Sequence, residues 1–436
     1  MQSELSTYAL EDCLEAIIDY RGKTPQKAES GIPLITAKVV KDGRIQTPNE
    51  FIAPEDFTDW MTRGLPKVGD VVMTTEAPLG EAGQIVQLPV ALAQRVVTLR
   101  GKQDILDNDY LLYALQSEPV QAQMRSRSSG TTVVGIKQSE LRKVTLELPP
   151  LHLQREVASI LKSLDSRLDL LRQTNATLES IAQAIFKSWF VDFDPVRAKA
   201  EGREPDGMDA ATAALFPAEF EESELGLIPK GWNIQPIGDL VDAVGGSTPD
   251  TKNLAFWEPA VHHWTSPKDL SGATSPALLD TERKVSPAGL AKISSGLLPA
   301  GSLLMSSRAP IGYLTLTQVP VAINQGYIAM PPGGRLPPIY LYFWCKANMD
   351  GIKGRANGST FMEISKRAFR PIPALLPPQH VIDSFAEIAG TMFNRLVANE
   401  RQARALVELR DALLPRLISG KLRLPGAQAE LEEALA

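Results

Sequence analysis

Hydroxyl, amide and basic side chains recur at similar positions in the two halves of this 436-residue chain. Lysine and arginine neutralise phosphate groups, hydroxyls hydrogen-bond to them, and arginine, asparagine and glutamine can recognise base edges. These chemistries suit contact with double-stranded DNA, and an ordinary solvated surface is the alternative for each residue. The candidate DNA-binding residues are Lys23, Thr24, Lys38, Thr74, Thr75, Lys137, Ser247, Thr248, Lys268, Ser306, Ser307, Arg308, Asn324, Gln325, Arg355, Lys366 and Arg367.

A tandem repeat accounts for this recurrence. Segment 69–80 matches segment 301–312, and segment 130–136 matches segment 358–364. The second match continues without a gap through a Pro-Pro pair into a long helical segment in each half. Because separate blocks agree in order, we infer a duplicated unit of one domain followed by one long helix.

The repeat also indicates where the halves differ. Asn324 and Gln325 stand where the first half has Ala93 and Gln94. If these positions contact bases, the two domains should prefer different DNA sequences, because their side chains offer different hydrogen-bonding groups.

The first helical segment begins at Leu151 and has apolar residues spaced alternately by four and three. This heptad pattern requires a partner helix, and its length of about 38 residues corresponds to roughly 57 Å. The copy begins at Gln379 and is expected to stop near Leu414, because Pro415 would break it. The seam of the first helix consists of Val157, Leu161, Leu164, Leu168, Leu171, Asn175, Leu178, Ala182 and Ile185.

We expect the two helices to pair with each other antiparallel, which would place the duplicated domains at opposite ends of a rod with pseudo-two-fold symmetry. A parallel pairing would require a much longer return of the chain through residues 195–228. Asn175 and Asn399 fall at or near the two seams. A buried asparagine there would fix the register at a cost in stability, whereas partial exposure on a short coiled coil is the alternative.

The domains are expected to be α/β (α+β), because short strands bounded by Gly and Pro accompany amphipathic helices. The predicted strands are 69–75, 94–100, 301–307 and 326–330, and the predicted helices are 108–116 and 338–344. The expected organisation is a first domain at 1–150, a helix at 151–194, a linker at 195–228, a second domain at 229–378, a helix at 379–423 and a flexible tail at 424–436.

Composition and charge limit the function classes. No apolar run approaches the roughly 20 residues that span a bilayer, and the first residues do not resemble a secretory signal. Cys13 and Cys345 are too few for a disulfide framework or a cysteine-based zinc site, so a cytoplasmic protein without a metal site is expected. The net charge of -6 argues mildly against nucleic-acid binding, but local basic clusters matter more than the total.

Catalytic motifs are not found in the sequence. Residues 21–24 end like a phosphate-binding loop, but Ile17 occupies the position of the required glycine. The histidines form no Ser/His/Asp arrangement, and His262 and His263 should point to opposite faces of a strand. A non-catalytic protein is therefore expected.

An aromatic cluster ends the first long helix and is too apolar to be left in water. Packing against the second helix is one interpretation, and docking of a partner subunit is the other, since exposed apolar patches mark interfaces. The candidate partner-interface residues are Phe186, Trp189, Phe190 and Phe193.

Several segments together carry a family resemblance along nearly the whole chain. They are 148–150 with the helix that follows, 182–195, 224–232, 246–249, 264–270 and 410–421. On these motifs the chain resembles the specificity subunit of Type I restriction–modification systems. The first domain departs from the pattern, with residues 35–38 standing where the second domain has 264–268.

The resemblance implies two target-recognition domains joined by two antiparallel helices, in which each domain recognises one half of a split DNA site and the helices fix the gap. It also implies two modification subunits that bind S-adenosylmethionine and methylate adenine, and restriction subunits that use ATP for translocation and cleave DNA. S-adenosylmethionine, ATP and Mg²⁺ would then belong to partner subunits. The chain itself would be required for both activities and would catalyse neither.

Two other functions fit parts of the sequence. A scaffold that holds two partner subunits without binding DNA is slightly favoured by the negative net charge. A fused nuclease–methyltransferase enzyme conflicts with the missing catalytic motifs.

Overall fold

The protein is described by a computed structural model that covers residues 5–22, 24–130, 133–273, 275–358, 362–422, 425–427 and 429–430. The chain divides into two compact units. The first unit comprises residues 1–169 and 404–436, and the second comprises residues 170–403.

The first unit is built on a four-stranded antiparallel sheet. Its strands, in order across the sheet, are Leu14–Asp19, Val96–Gly101, Val71–Thr75 and Leu79–Gln84. Smaller sheets join Phe51–Ile52, Ile32–Ile35 and Ala91–Leu92, then Ser6–Ala9 and Thr145–Leu148, and Val40–Lys41 and Arg44–Ile45. The short helices are Leu10–Cys13, Pro54–Asp56 (a 3₁₀ helix), Phe57–Trp60, Asn108–Gln116, Glu118–Ser126 and Gln138–Leu141.

The second unit also contains a four-stranded sheet, with Ala277–Leu278, Leu314–Thr317, Leu303–Ser306 and Tyr327–Met330 in order. Smaller sheets join Arg283–Val285, His262–Thr265 and Val321–Ile323, then Asn233–Pro236 and Pro373–Leu376, and Phe220–Ser223 and Gly226–Pro229. The short helices are Asp194–Ala200, Ala210–Ala214, Ile237–Leu240, Leu254–Phe256 and Pro267–Leu270 (both 3₁₀), Pro287–Leu290, Pro338–Ala347, Met349–Lys353 and Lys366–Phe369.

The two units share several strand pairings, which confirms the duplication. The fourth strand of the larger sheet differs: Leu14–Asp19 pairs antiparallel with Val96–Gly101 in the first unit, and Ala277–Leu278 pairs parallel with Leu314–Thr317 in the second. Ile35 pairs with Leu92 in a parallel ladder of the first unit, and Thr265 pairs with Ile323 in a parallel ladder of the second. The predicted mixed α/β fold is therefore confirmed in each unit, and the predicted strands are present with ends shifted by a few residues.

The helix Asn108–Gln116 has the predicted bounds because its N-terminal cap is encoded locally. The Asp107 carboxylate accepts hydrogen bonds from the backbone N–H groups of Asp109 and Tyr110 at 3.0 and 3.2 Å. Its apolar residues are buried against the four-stranded sheet, whose strand Val71–Thr75 is buried along its whole length. This packing places the carboxyl end of that strand at a fixed position.

The predicted antiparallel pairing of the long helices is confirmed within the second unit. Asn175 lies against Asn399, and the rings of Phe186 and Phe385 are 5.4 Å apart, so the residue numbers run in opposite directions. The first long helix is Leu151–Phe190 and the second is Gln379–Ile418, each of 40 residues.

The prediction that the second helix stops near Leu414 is wrong, because the helix continues through Pro415 to Ile418. Proline removes one backbone hydrogen bond and disfavours the preceding turn. Here Leu413 and Leu417 lie four residues apart and are both buried, so the apolar face of the helix extends past the proline. Burial of that face compensates for the lost hydrogen bond.

Asn175 and Asn399 form a buried polar pair on the helix seam. The Asn399 Nδ2 donates to the Asn175 Oδ1 at 2.8 Å, and the Asn175 Nδ2 donates to the Glu400 carboxylate at 2.7 Å. Both asparagines are buried, which decides between the two alternatives in favour of register fixing. A shift by one turn would leave these amides buried without partners.

In the second unit a hydrogen-bonded triad holds the domain against the first long helix. The Glu179 carboxylate of the helix accepts hydrogen bonds from the Tyr342 hydroxyl at 2.5 Å and from the Lys346 ammonium at 2.6 Å. Burial, together with the neighbouring carboxylate, raises the pKa of Tyr342, so the hydroxyl stays a donor.

The first unit uses the same chemistry with other residues. The Asp165 carboxylate accepts from the Tyr113 hydroxyl at 2.8 Å and from the Arg410 guanidinium at 3.1 Å. Burial and the carboxylate likewise raise the pKa of Tyr113. In each unit a tyrosine of the domain is therefore fixed to a carboxylate of the first long helix.

The segment predicted as a linker is folded onto the second unit. It contains two short helices and a hairpin, and Val196 and Phe216 are buried in the core of that unit. Most of the predicted tail lies outside the described residues. Within its described part, Ala427 is buried and the Glu430 carboxylate pairs with Arg416 at 3.0 Å.

Two observations on the described part of the chain concern membrane-spanning helices and metal sites. No described helix is both long enough and apolar enough to cross a membrane. No group of three or more described His, Cys, Asp or Glu side chains is placed to hold a metal ion.

Burial raises the pKa of the Cys13 thiol to about 11, which keeps the thiol protonated at neutral pH.

We predict that Asn175→Leu destabilises the second unit by about 1–3 kcal/mol, because it leaves the buried Asn399 amide without its partner. The double variant Asn175→Leu/Asn399→Leu should recover much of this loss, since both ends of the hydrogen bond become apolar. Urea unfolding followed by circular dichroism measures both. Gln173→Leu on the exposed face of the same helix is the matched control, with an expected change within about 0.5 kcal/mol. Equal destabilisation by the single and double variants would contradict the pairing.

Candidate nucleic-acid interface

Three backbone segments meet at the carboxyl end of one strand in the first unit. The Thr75 N–H donates to the carbonyl of Arg95, and the Ile136 N–H donates to the carbonyl of Thr75, each at 3.0 Å. The base of the loop before Ile136 is closed by Ser129 and Gly135, which exchange backbone hydrogen bonds at 2.9 and 3.0 Å. We call this arrangement the backbone frame.

The second unit builds the same backbone frame from other residues. The Ser307 N–H donates to the carbonyl of Gly326 at 2.8 Å, and the Ile364 N–H donates to the carbonyl of Ser307 at 3.0 Å. Asn357 and Glu363 close the loop by exchanging backbone hydrogen bonds at 2.9 Å. Because only backbone groups form the frame, the side chains on it can differ between units without changing its shape.

The side chains on the first frame form the first polar surface, which consists of Thr24, Glu76, Gln94, Arg95 and Lys137. The Gln94 Nε2 donates to the Thr24 hydroxyl at 3.5 Å, and the Arg95 Nε lies 3.0 Å from the Glu76 carboxylate. Lys137 is exposed directly after the frame. The surface thus offers hydroxyl, amide, carboxylate and cationic groups side by side.

The second polar surface consists of Thr248, Arg308, Gln325, Glu363 and Lys366. The Thr248 hydroxyl donates to the Gln325 side-chain oxygen at 2.7 Å, which repeats the Thr–Gln contact of the first unit. An Arg308 terminal nitrogen lies 3.7 Å from the Glu363 carboxylate. Lys366 is exposed at the start of a short helix.

Apolar side chains are exposed on the loop of each frame. Val133 and Val134 are 49% and 47% exposed in the first unit, and Met362 is 49% exposed in the second. Gly130 and Gly358 begin the two loops with φ of 116° and 115°, a conformation that favours glycine. Exposed apolar groups beside cations suit contact with base edges such as the thymine methyl.

Four of the predicted DNA-binding residues are buried. Thr74 and Ser306 accept hydrogen bonds from the backbone N–H groups of Glu81 and Tyr313 at 3.0 and 2.8 Å. Each hydroxyl therefore closes the turn of a hairpin at the same place in its unit, which explains why the repeat keeps a hydroxyl there. The buried residues are Thr74, Thr75, Ser306 and Ser307, and their side chains do not face solvent.

Two more predicted residues shape loops of the second unit. The Ser247 hydroxyl donates to the carbonyl of Lys292 at 3.0 Å and accepts from the Ser294 N–H at 3.1 Å. The Asn324 side-chain oxygen accepts from the Gly326 N–H at 2.8 Å. Both side chains are half-buried, so they hold the backbone beside the second polar surface.

The remaining predicted cations that the structure describes are exposed outside the polar surfaces. The Lys38 ammonium lies 3.6 Å from the Glu50 carboxylate. A hydrogen bond from Lys27 lowers the pKa of Glu50, and the charge of Lys38 lowers it further. The other exposed cations are Lys268, Arg355 and Arg367. Lys23 lies outside the described residues.

A depression with two arginines, near the first polar surface, was not predicted from the sequence. Arg21, Arg63 and Gln138 line a depression of about 520 Å³ together with Ile17 and Asp19. An Arg21 terminal nitrogen also donates to the carbonyl of Ile136 in the backbone frame at 2.7 Å. The residues come from three distant parts of the chain, so no local pattern indicates the depression.

The sequence also did not indicate that carboxylates belong to the polar surfaces. Glu76 and Glu363 stand in the repeated blocks next to predicted residues, but an acidic group is not expected where phosphate is bound. One sequence signal could have indicated Glu76. Alignment of segment 69–80 with segment 301–312 places Glu76 at the position of the predicted residue Arg308.

The aromatic residues at the end of the first long helix lie in the core of the second unit. Phe186, Trp189 and Phe190 are buried and Phe193 is half-buried. Phe385 of the second helix contacts the first three rings, with centroids 5.4 to 6.2 Å away. This is what the packing interpretation expects, and the partner-interface role of these four residues stays a prediction.

Known proteins are similar to the chain over most of its length. The family described as "Type I restriction modification DNA specificity domain" matches residues 3–180 and 229–402. The specificity subunit of the Type I restriction enzyme HindI from Haemophilus influenzae is 28% identical over 340 residues, covering 69% of this chain and 73% of that protein. The specificity subunit of the Type I restriction enzyme MjaIX from Methanocaldococcus jannaschii is 24% identical, covering 90% and 87%.

A solved structure has the same fold. The crystal structure of the S subunit of a Type I restriction–modification system from M. genitalium superposes with a TM-score of 0.57 at 15% identity, covering 95% of this chain and 96% of that chain. Together with the family match, this confirms the resemblance found from the motifs.

We predict that Thr74→Val lowers the free energy of unfolding by about 1–3 kcal/mol, because the Glu81 N–H loses its acceptor while the side-chain volume is kept. Thr74→Ser retains the hydroxyl and should be close to the unsubstituted protein. The exposed Thr248→Val is the matched control, with an expected change within about 0.5 kcal/mol. Thermal unfolding measures all three, and a Thr74→Val protein as stable as the control would refute the turn-closing role.

Proposed function

The chain belongs to the family of Type I restriction–modification DNA specificity domains, and from that membership we propose that it is the DNA sequence-recognition subunit of a Type I restriction–modification complex. Each of two target-recognition domains, at 1–150 and 229–378, recognises one half of a bipartite DNA site. The chain is a non-catalytic specificity subunit that directs adenine methylation and restriction by partner subunits.

One observation carries the proposal that the two domains recognise different sequences. Both units build the same backbone frame from backbone hydrogen bonds, yet Glu76 and Arg308 occupy one equivalent position, as do Lys137 and Ser365. A shared frame would place each domain on DNA in the same way. Different exposed side chains would then select different bases, because each base pair presents its own donors and acceptors in the major groove.

The long helices, taken as 151–194 and 379–423, set the distance between the two half-sites in this proposal. The pair of asparagines supports it, because a buried hydrogen bond between Asn175 and Asn399 opposes sliding of one helix along the other. The triads centred on Glu179 and Asp165 support it as well, since they hold each domain to the helices in its own unit.

The partners follow from the same family. Double-stranded DNA and two modification subunits bind this chain, and restriction subunits join the complex in the cytoplasm. S-adenosylmethionine is bound by the modification subunits, and ATP and Mg²⁺ are used by the restriction subunits. The end of the first long helix, from Phe186 to Phe193, contributes to the modification-subunit interface. A scaffold without DNA binding is not favoured, because the matched family is one of DNA specificity domains.

We predict that the complex with the modification subunit binds DNA with a strong salt dependence, and that Lys366→Gln reduces the slope of log K against log salt by about 0.9, the value expected for one lost phosphate contact. Lys137→Gln should act equally on the first domain. Lys230→Gln removes a lysine that pairs with Glu219 and is the control, with no change in slope. Salt-independent binding would contradict the proposal.

We further predict that deleting facing heptads, residues 168–174 and 400–406, shortens the gap and preserves both half-sites. These segments face each other if the register of Asn175 with Asn399 is maintained. Seven helical residues correspond to about 10.5 Å, or up to about 3 base pairs at roughly 3.4 Å each. Sequencing of methylated sites measures the result. An altered half-site with an unchanged gap would exclude the spacer role.

A further inference from the structure

The two polar surfaces carry opposite charges at one equivalent position. Glu76 follows the strand that ends at Thr75, and Arg308 follows Ser307 at the corresponding point of the second frame. The oppositely charged residue of each pair also comes from a different element. Arg95 pairs with Glu76 from the turn before the strand Val96–Gly101, whereas Glu363 pairs with Arg308 from the loop.

These ion pairs contribute little to folding because they are open to solvent. The side chains of Glu76 and Arg95 are 39% and 54% exposed, and those of Arg308 and Glu363 are 37% and 46% exposed. Exposed pairs of this kind are screened and have small net free energies. In the structure they set the distance between the two charged groups of each pair, 3.0 Å for Arg95 with Glu76 and 3.7 Å for Arg308 with Glu363.

Among the described residues, the Arg308 guanidinium donates no hydrogen bond, so its donors are available to a ligand there. Its closest nitrogen lies 3.7 Å from Glu363, which is longer than a hydrogen bond. Among the residues that the structure describes, no other carboxylate lies within 4 Å of its guanidinium. A guanidinium has only donors in a fixed planar fork, and the base edge that matches such a fork is guanine, through its O6 and N7 acceptors.

The surroundings of Arg308 also suit base contact better than those of the other cations. The backbone of Ser307 and Gly326 places it beside Gln325, and Glu363 follows the exposed Met362 of the loop. An amide can recognise adenine and an apolar group can contact the thymine methyl. Arg355 and Lys366, by contrast, lie on the segments that flank the loop, where a charge suits phosphate.

Resting on the proposed function, we infer that Arg308 is the residue by which the second domain selects a guanine in its half-site, and that Glu363 is its positioning residue. A carboxylate accepts hydrogen bonds and cannot donate to guanine O6 or N7. Glu76 at the equivalent position therefore gives the first half-site a different base there.

The test is methylation by the complex of this chain with its modification subunit, on DNA in which one half-site at a time is randomised. Arg308→Gln should lower methylation of the preferred sequence roughly 5- to 150-fold and relax the preference at one guanine of the second half-site, with the first half-site unchanged. Arg308→Lys should relax the same position, because an ammonium lacks the planar fork. Glu363→Gln should weaken the guanine preference several-fold, while affinity for unrelated DNA should not fall, because the change removes a negative charge from the surface.

The matched control is Lys366→Gln, which should weaken methylation of all sequences equally. If Arg308→Gln also acts equally on all sequences while the thermal unfolding curve is unchanged, Arg308 is a phosphate contact and the inference is overturned, although the proposed function stands. An unaltered guanine preference in Glu363→Gln would overturn the positioning role. If the unsubstituted complex selects no half-site at all, the proposed function itself fails.

Discussion

The antiparallel pairing of the two long helices is the constraint on which the other parts of the chain depend. An apolar seam alone would allow the helices to slide by whole turns, since leucines are interchangeable along it. The hydrogen bond between Asn175 and Asn399 is buried within that seam. It makes one register of the helix pair more stable than the registers shifted by a turn. Each domain is then held to the helices of its own unit by a tyrosine hydrogen-bonded to a helix carboxylate, Glu179 or Asp165.

The two polar surfaces combine a constant backbone with variable side chains. Three backbone segments meet in the same way in both units, and the hydroxyls of Thr74 and Ser306 close the adjacent turn in both. Backbone hydrogen bonds do not depend on side-chain identity, so exposed positions such as Glu76 and Arg308 can change without loss of the frame. This separation is what the proposal of two different half-sites requires of a duplicated domain.

The sequence predicts the elements that have a period or a local signal. The heptad spacing predicts the first long helix, and the Asp107 cap coincides with the start of the helix Asn108–Gln116. Prediction fails where distant residues decide the outcome. The second helix passes Pro415 because its buried face continues at Leu417. A hydroxyl that both repeats keep, such as that of Thr74, does not by itself show whether it closes a buried turn or contacts a ligand at the surface. The depression beside Arg21 and the placement of Glu363 opposite Arg308 depend on the tertiary fold in the same way.

The most direct test of a two-domain recognition subunit is sequencing of methylated adenines across the genome of a host that carries this chain with its modification subunit. We expect one bipartite motif, with two specific blocks of different sequence separated by a gap of fixed length and no base preference. The motif should disappear when this chain alone is deleted. A single continuous motif, a gap of variable length, or methylation that persists without the chain would contradict the account.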